Sequence, residues 1–314
     1  MSSISFSWNL FSDLQSMLAY QFMVHAFQAG TIVAVVAGVV GYFVVLRRSS
    51  FAAHALSHIG FAGAAGAVWV GEYVSWVTPI YGLLLFTTVG GATMAGLGGK
   101  ASHRDMTIGI TLSFLLGIGV LFISLYTGYA TEAYSILFGE ILGISASSVI
   151  LTLIAALGLL VAVGFVFRPL LFSSLDQEVA EAKGMPTLTL GIVFMILVAV
   201  ATSIAVQVVG VLLIFSLLVT PAAIAQQVTT RPSRAILVGV VVALVATWLG
   251  LFISWYFPYP VSFFITTLTF AGYLIARYLY PKIRPTTGSR ENAQKSEEGK
   301  EHSHETSQEI PVMP

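Results

Sequence analysis

The stretch Arg47-Arg48-Ser49-Ser50-Phe51-Ala52-Ala53-His54-Ala55-Leu56-Ser57-His58-Ile59-Gly60-Phe61-Ala62-Gly63-Ala64-Ala65-Gly66-Ala67 holds a boundary, a pair and a packing surface. Arg47 and Arg48 close one long apolar run, and a second begins just after them. Inside the second run His54 and His58 stand four apart, on one face of a helix. The small residues from Gly60 to Ala67 let helix backbones approach closely in lipid, so this helix belongs inside a bundle or at a subunit interface. Ionisable side chains in such a place are unfavourable to keep, which makes them functional-site candidates. Two neutral imidazoles on one face can grip a soft or borderline divalent cation. The competing reading, in which each imidazole hydrogen-bonds a carbonyl and binds nothing, is weaker for a pair than for a lone histidine. If the helix starts near Phe51, both residues lie within two turns of its first end, so a site at mid-membrane requires the helix to begin deep.

Composition points the same way. The chain has 314 residues, 57% of them hydrophobic and 9% charged, with mean hydropathy +0.90. A soluble domain carries about 25% charge, so most of this chain faces lipid or other apolar helices. Net charge is zero, which argues against nucleic acid as a partner. The absence of cysteine removes disulfides, thiolate metal sites and iron–sulfur clusters.

A spanning helix needs about 20 apolar residues. Segments 22–46, 51–71, 77–97, 106–126, 135–167, 187–206, 209–228, 235–255 and 260–280 qualify or nearly do. Arg47, Arg48, Lys100, Arg104, Arg168, Lys183, Arg231, Arg234, Arg277 and Lys282 fall in alternate connections, whereas the connections near Glu72, Glu132, Gly210 and Tyr256 have no Lys or Arg. Positive charge stays in the cytoplasm, so the N-terminus is expected outside and the C-terminus inside. The parity rests on Val208-Val209-Gly210 being a turn; one kinked element over 187–228 would reduce nine spans to eight. Trp76, Trp255, Tyr256 and Tyr259 fall at outer ends, as an aromatic belt would. The reading is an all-α integral membrane protein of the cell membrane, with eight to nine spanning helices between 22 and 280. Residues 1–21 form an amphipathic extracytoplasmic segment without a basic leader. Residues 281–314 form a polar cytoplasmic tail read as disordered, and its His302 and His304 read as ordinary solvated residues.

Two further segments carry signals. In Asp176-Gln177-Glu178-Val179-Ala180-Glu181-Ala182-Lys183-Gly184-Met185-Pro186, Asp176 can cap a short helix, Gly184 can end it and Pro186 prevents its continuation. This is either a connector or a docking helix on the cytoplasmic face. In Gly210–Ala225, Pro221 removes a backbone hydrogen bond inside an apolar span, and Thr220 can supply a partner. Freed backbone groups at depth are tolerated when packed in protein or lining a wet cavity.

Taken together these segments resemble the manganese/zinc/iron permease family of ABC importers. The family's Arg-Arg followed by Asp-x-x-Ser-His is similar to Arg47-Arg48 and His54-Ala55-Leu56-Ser57-His58. Its Leu-Phe-Gly-x-Ile-Leu-Gly-Ile-Ser is similar to Leu137–Ser145, its coupling loop to Asp176–Pro186, and its Leu-Leu-Val-x-Pro-Ala-Ala-x-Ala to Leu217–Ala225. The resemblance runs over about 20–280 and implies an architecture related to the vitamin and siderophore importers. It implies a homodimeric permease, two cytoplasmic ATP-binding subunits docked on 176–186 through Asp176, Glu178, Glu181 and Gly184, and an extracellular metal-binding protein that delivers the ion. The family's metal-contacting positions carry over to His54 and His58, and the kinked segment at Thr220 and Pro221 lies on the implied pathway. His54 stands where the family has aspartate, which removes a hard oxygen ligand and tilts the expectation from Mn²⁺ towards Zn²⁺, with iron also open. It also makes binding pH-sensitive, since both imidazoles must be neutral to bind. Glu140 is a candidate for restoring a negative charge nearby.

The metal is cargo here, and no resident cofactor is expected. The chain has no G-x-x-x-x-G-K-[ST] phosphate loop, so it is not expected to be an enzyme; ATP hydrolysis would belong to the partner subunit. The main alternative is a secondary transporter driven by an ion gradient, which calls for internal repeats and buried carboxylates. An intramembrane metalloenzyme would want a glutamate within the His54–His58 motif, and there is none.

Overall fold

A computed structural model of the chain describes residues 10–74, 76–97, 101–126, 139 and 141–279. Among the described residues every regular element is an α-helix. A short amphipathic α1 (Leu10–Leu18) precedes α2 (Gln21–Leu46), α3 (Ser50–Gly71), α4 (Pro79–Leu97), α5 (Ala101–Leu125) and α6 (Ala146–Leu175). The short α7 (Gln177–Ala182) then leads to α8 (Thr187–Val209), α9 (Val211–Val228), α10 (Pro232–Tyr256) and α11 (Val261–Leu279). All but α1 and α7 are long and apolar enough to cross a membrane, giving nine candidate spans among the described residues.

Contacts fix the direction of most of the spans. Gly60 and Gly63 of α3 face Thr87 and Gly82 of α4, so those two run antiparallel. Thr87 Oγ1 is 2.7 Å from Ser203 Oγ while Gly91 lies against Met195, which makes α8 antiparallel to α4. Gly30 and Gly38 of α2 face Thr247 and Val240 of α10, again antiparallel. Ser216 Oγ sits 3.0 Å from Thr269 Oγ1 and Gly272 faces Ile224, so α9 and α11 run the same way. Gly41 of α2 faces Leu218 of α9 and the Tyr42 carbonyl accepts from Gln226 Nε2, so α9 runs with α2, which turns back into α3, the helix that runs with α8; the chain therefore reverses between α8 and α9, and nine spans among the described residues replace the eight-or-nine alternative. Every Lys and Arg among the described residues then lies towards one end of the bundle, the end that the positive-inside rule assigns to the cytoplasm.

The reversal is made by one residue. Gly210 has φ +81° and ψ 166°, a region that only glycine occupies readily. It is not an exposed loop: Val208, Val209 and Val211 are all at most 1% exposed, and Gly139, itself at φ +76°, packs on the Val209–Gly210 peptide. Gly210→Ala should destabilise the fold by about 1–3 kcal/mol, read as a lower midpoint in thermal unfolding of the detergent-solubilised protein.

One boundary differs from the sequence expectation. The fifth span, expected at 135–167, is Ala146–Leu175. Its start is set by Ser145, whose Oγ accepts the Ser148 N–H at 3.3 Å. At the other end the helix runs through Pro169, so the segment 176–186 begins directly from its last turn. The aromatic belt is also only partly as expected. Trp76 and Tyr259 are well exposed, but Trp255 packs against Tyr20 and Phe22 with its Nε1 buried. Residues 1–9 and 280–314, including His302 and His304, lie outside the described residues.

The core sits among α2, α3 and α8, the most buried spans, while α5 and α11 are the most open. On the outside, Phe114, Phe165, Leu237 and Tyr278 present apolar surface suited to lipid. Hydroxyls buried in this medium need internal partners. Thr87 Oγ1 donates to Leu83 O at 2.7 Å and Thr269 Oγ1 to Ile265 O at 3.0 Å.

Candidate functional site

The histidine helix starts deep because the turn before it is deep. Arg47 caps α2, and Arg48 takes a left-handed φ of +52°. Ser49 then returns the chain, its N–H donating to Val44 O at 2.8 Å and its carbonyl accepting the Ala53 N–H at 3.0 Å. The Arg47 guanidinium lies 5.0 Å from the centre of the Phe194 ring, and Phe194 is about 10 Å along α8 from its cytoplasmic start at 1.5 Å per residue. Gly60 is level with the Thr87–Ser203 hydrogen bond. Counting back from there, His54 and His58 lie about 15 and 21 Å from the start of α8, a helix about 34 Å long. The pair is thus level with the middle of α8 and not with its first turns.

The two rings are 4.6 Å apart between centroids and nearly perpendicular at 82°. The ring of Phe215 on α9 closes one side, 4.9 Å from His54. Ala55 and Leu56 beside the pair are fully buried, and Ser57, also fully buried, turns its hydroxyl to His54 O at 2.7 Å. His54 Nδ1 is buried with no hydrogen-bond partner in the structure. An unpaired buried nitrogen is unfavourable by about 1–3 kcal/mol, and a cation or a passing water would satisfy it. Among the described residues no group of three or more His, Cys, Asp or Glu side chains comes together as a metal cage. Two nitrogen ligands without a closed cage suit transient contact, since an ion in transit must be able to leave.

The other sequence candidates fall in two places. Thr220 and Pro221 lie in a continuous stretch of α9, where Gly38 and Gly41 of α2 and Gly239 of α10 allow the three backbones to meet. Glu140 lies outside the described residues. Phe215 was missed by sequence reasoning, because nothing in its spacing couples it to a histidine some 160 positions away in the chain.

At the cytoplasmic end α7 is a separately capped helix. Asp176 Oδ1 accepts the Val179 N–H at 2.9 Å. Gly184, at φ +75°, ends the helix, with Gly184 N–H donating to Glu181 O and Met185 N–H to Ala180 O. Ala180 is fully buried, whereas Asp176, Glu178, Glu181 and Gly184 are exposed. Glu181 Oε1 accepts from Gln177 Nε2 at 3.1 Å and from Thr187 Oγ1 at 2.8 Å. These two donors hold its carboxyl below the usual carboxylate range. The tie between α7 and α8 is therefore intact at neutral pH and is lost only as acidification passes through that lowered value. Asp176→Ala should weaken α7 by about 1 kcal/mol, visible as faster hydrogen exchange at the amides of 177–182 with little change elsewhere.

Residues 19–279 match the ABC 3 transport family. The chain belongs to that family. This ABC 3 family member is 31% identical over 248 residues to the manganese transport system membrane protein MntC of Listeria monocytogenes, covering 78% of this chain and 85% of that one. It is 29% identical over 266 residues to the chelated iron transport system membrane protein YfeC of Yersinia pestis, covering 84% and 88% respectively. Among solved structures it is similar to PsaBC from Streptococcus pneumoniae in complex with Fab, with a TM-score of 0.75 and 27% identity over 87% of this chain and 99% of that one. The family makes this a multi-pass membrane permease subunit of an ABC transporter, whose ATP hydrolysis is carried out by a separate subunit. It also sets aside the ion-gradient carrier and the intramembrane metalloenzyme.

Proposed function

We propose that this ABC 3 permease imports a divalent transition-metal cation, with His54 and His58 as the ligands that meet it inside the bundle. The observation that carries this reading is the imidazole pair, level with the middle of α8, with a buried, unpartnered Nδ1. The relatives named for manganese and chelated iron support a metal as cargo. The ligand chemistry favours Zn²⁺ over Mn²⁺, because imidazole suits Zn²⁺ and no carboxylate of the kind Mn²⁺ prefers joins the pair among the described residues.

In the cycle we infer, an extracellular binding protein hands the ion to an outward-open permease homodimer. Two ATP-binding subunits dock on α7 through the face that carries Asp176, Glu178, Glu181 and Gly184. Their closure on ATP moves the docking helices, and the bundle rocks to open inward. The close three-helix contact at Thr220 and Pro221 is a place where α9 bends during that change. Glu140 supplies a negative charge to the pathway; a Glu140→Gln form that keeps full uptake would remove it from this scheme.

The test is accumulation of ⁶⁵Zn and ⁵⁴Mn in cells with the intact system, with the permease deleted, and with its ATP-binding subunit deleted. The reading expects uptake that needs both subunits, with Zn²⁺ competing better than Mn²⁺. Equal accumulation in all three strains would defeat the metal assignment, and a clear preference for Mn²⁺ would defeat the zinc preference alone.

A further inference from the structure

In the sequence Arg47 marks the cytoplasmic side and belongs to the Arg-Arg pair of the family pattern, with no role of its own. In the structure its Nη1 donates to Ser173 Oγ at 3.2 Å and to Ser174 Oγ at 3.3 Å. Its guanidinium also lies over the Phe194 ring of α8. The two serines form the last turn of α6, directly before the cap of the docking helix. Both hydroxyls are anchored to that turn, each donating back to Leu170 O. Ser173 is only 4% exposed.

The docking helix is itself fastened to the same place. Lys183 Nζ sits 5.2 Å from the centre of the Phe172 ring on the last turn of α6. Glu181 ties the far side of α7 to Thr187 at the start of α8. On the other side of Arg47, only Arg48 and Ser49 separate it from the helix that carries His54 and His58. Ser49 Oγ donates back to Arg47 O at 3.2 Å, which makes that turn a short, closed unit.

Displacement of α7 is thus passed to the end of α6, from there through two hydroxyls to one guanidinium, and from Arg47 to the start of α3. Arginine suits this position better than lysine. Its planar fork bridges two hydroxyls while its face stacks on a ring, and it stays charged throughout. Elsewhere α2 and α3 barely touch, so their shared turn, rather than side-by-side packing, joins them.

We propose that Arg47 is a positioning residue that transmits movement of the docking helix to the histidine helix, which rests on the reading of α7 as the ATPase dock. The inference concerns how ATP hydrolysis is tied to ion movement, and it holds for any cargo of this permease.

The test uses the complete complex of permease, ATP-binding subunits and binding protein in liposomes. The chain contains no cysteine, so an environment-sensitive fluorophore on Phe51→Cys reports the first turn of α3 alone; Phe51 is 44% exposed. With Arg47 intact, ATP should shift the emission, and ⁶⁵Zn uptake should accompany hydrolysis. In Arg47→Ala, hydrolysis should stay within about twofold, while the emission shift and ions moved per ATP should each fall about tenfold, within the usual range for coupling between sites. Arg47→Lys should restore only part of this. The Ser173→Ala/Ser174→Ala pair, which leaves Arg47 in place, should reproduce most of the loss and guards against a folding defect in Arg47→Ala. An unchanged emission shift or unchanged ions per ATP in both variants would overturn the proposal, as would an intact complex in which ATP does not move α3. If the intact complex shows the ATP-driven shift but takes up neither ⁶⁵Zn nor ⁵⁴Mn, the cargo reading fails and the relay stands.

Discussion

Gly63→Val should be the most damaging single change in the bundle, with little folded protein recovered and a sharply lowered thermal midpoint in what is. Gly63 on α3 and Gly82 on α4 face each other backbone to backbone. A Cβ on Gly63 would run into the carbonyl oxygen of Gly82 and would lie 2.7 Å from both its carbonyl carbon and Phe86 Cβ. A Cβ on Gly82 would meet the carbonyl oxygen of Gly63 in the same way, and Ala67 Cβ at 2.8 Å. Neither obstacle is the far end of a flexible side chain, so the helices themselves must separate. Overpacking of this kind destabilises by about 1–3 kcal/mol when the surroundings can yield, and here the obstruction is main chain. Separation would also pull Thr87 from Ser203 and unseat Gly60 from Leu83 and Thr87, two residues from His58. The control is Gly164→Ala on α6, where nothing lies within 4 Å of the added carbon. That change should leave the midpoint unchanged or raise it, by up to about 1 kcal/mol from helix propensity. Equal behaviour of the two variants would show that the α3–α4 contact is not what holds the histidine helix.

The contact at Gly63 was legible in outline. A run from Gly60 to Ala67 made almost entirely of small residues says that something approaches closely, and α4 and α5 do. It does not say which helix approaches, because partner choice in lipid depends on packing between distant segments. Topology was readable for a simpler reason: the penalty for moving Arg or Lys across the membrane leaves its record in the connections one residue at a time. The depth of His54 was not readable. It follows from Arg47 packing against Phe194 and from the tight turn at Arg48, contacts between residues far apart in sequence. The Gly210 reversal sat between these cases. The sequence offered a break there, but its burial comes from Gly139 packing on it, a long-range contact that no periodicity announces. The short helix α7 was the most local feature of all. Its cap, its end and its length are each set within a dozen residues, and Asp176 and Gly184 occupy the positions that those rules assign.

The histidine pair gives the second large effect, and stability and transport should move in opposite directions. His54→Leu removes a buried nitrogen that has no partner and fills the space beside Phe215 with apolar surface. Removing an unsatisfied polar group in this way is neutral or stabilising, so the thermal midpoint should hold or rise. Uptake of ⁶⁵Zn should nevertheless fall about tenfold or more, the scale at which changes around a metal site are felt. His58→Ala should lose a similar amount. On the proposed function the two rings, 4.6 Å apart, act as one ligand set, so the double variant should be scarcely worse than either single one, as for residues that work as a unit. Histidines kept only for packing would give the reverse pattern: each substitution would lower the midpoint, uptake would track the amount of folded protein, and the losses would add. The comparison of midpoint with uptake, normalised to protein in the membrane, therefore separates a ligand pair from a structural one without any need to see the ion bound.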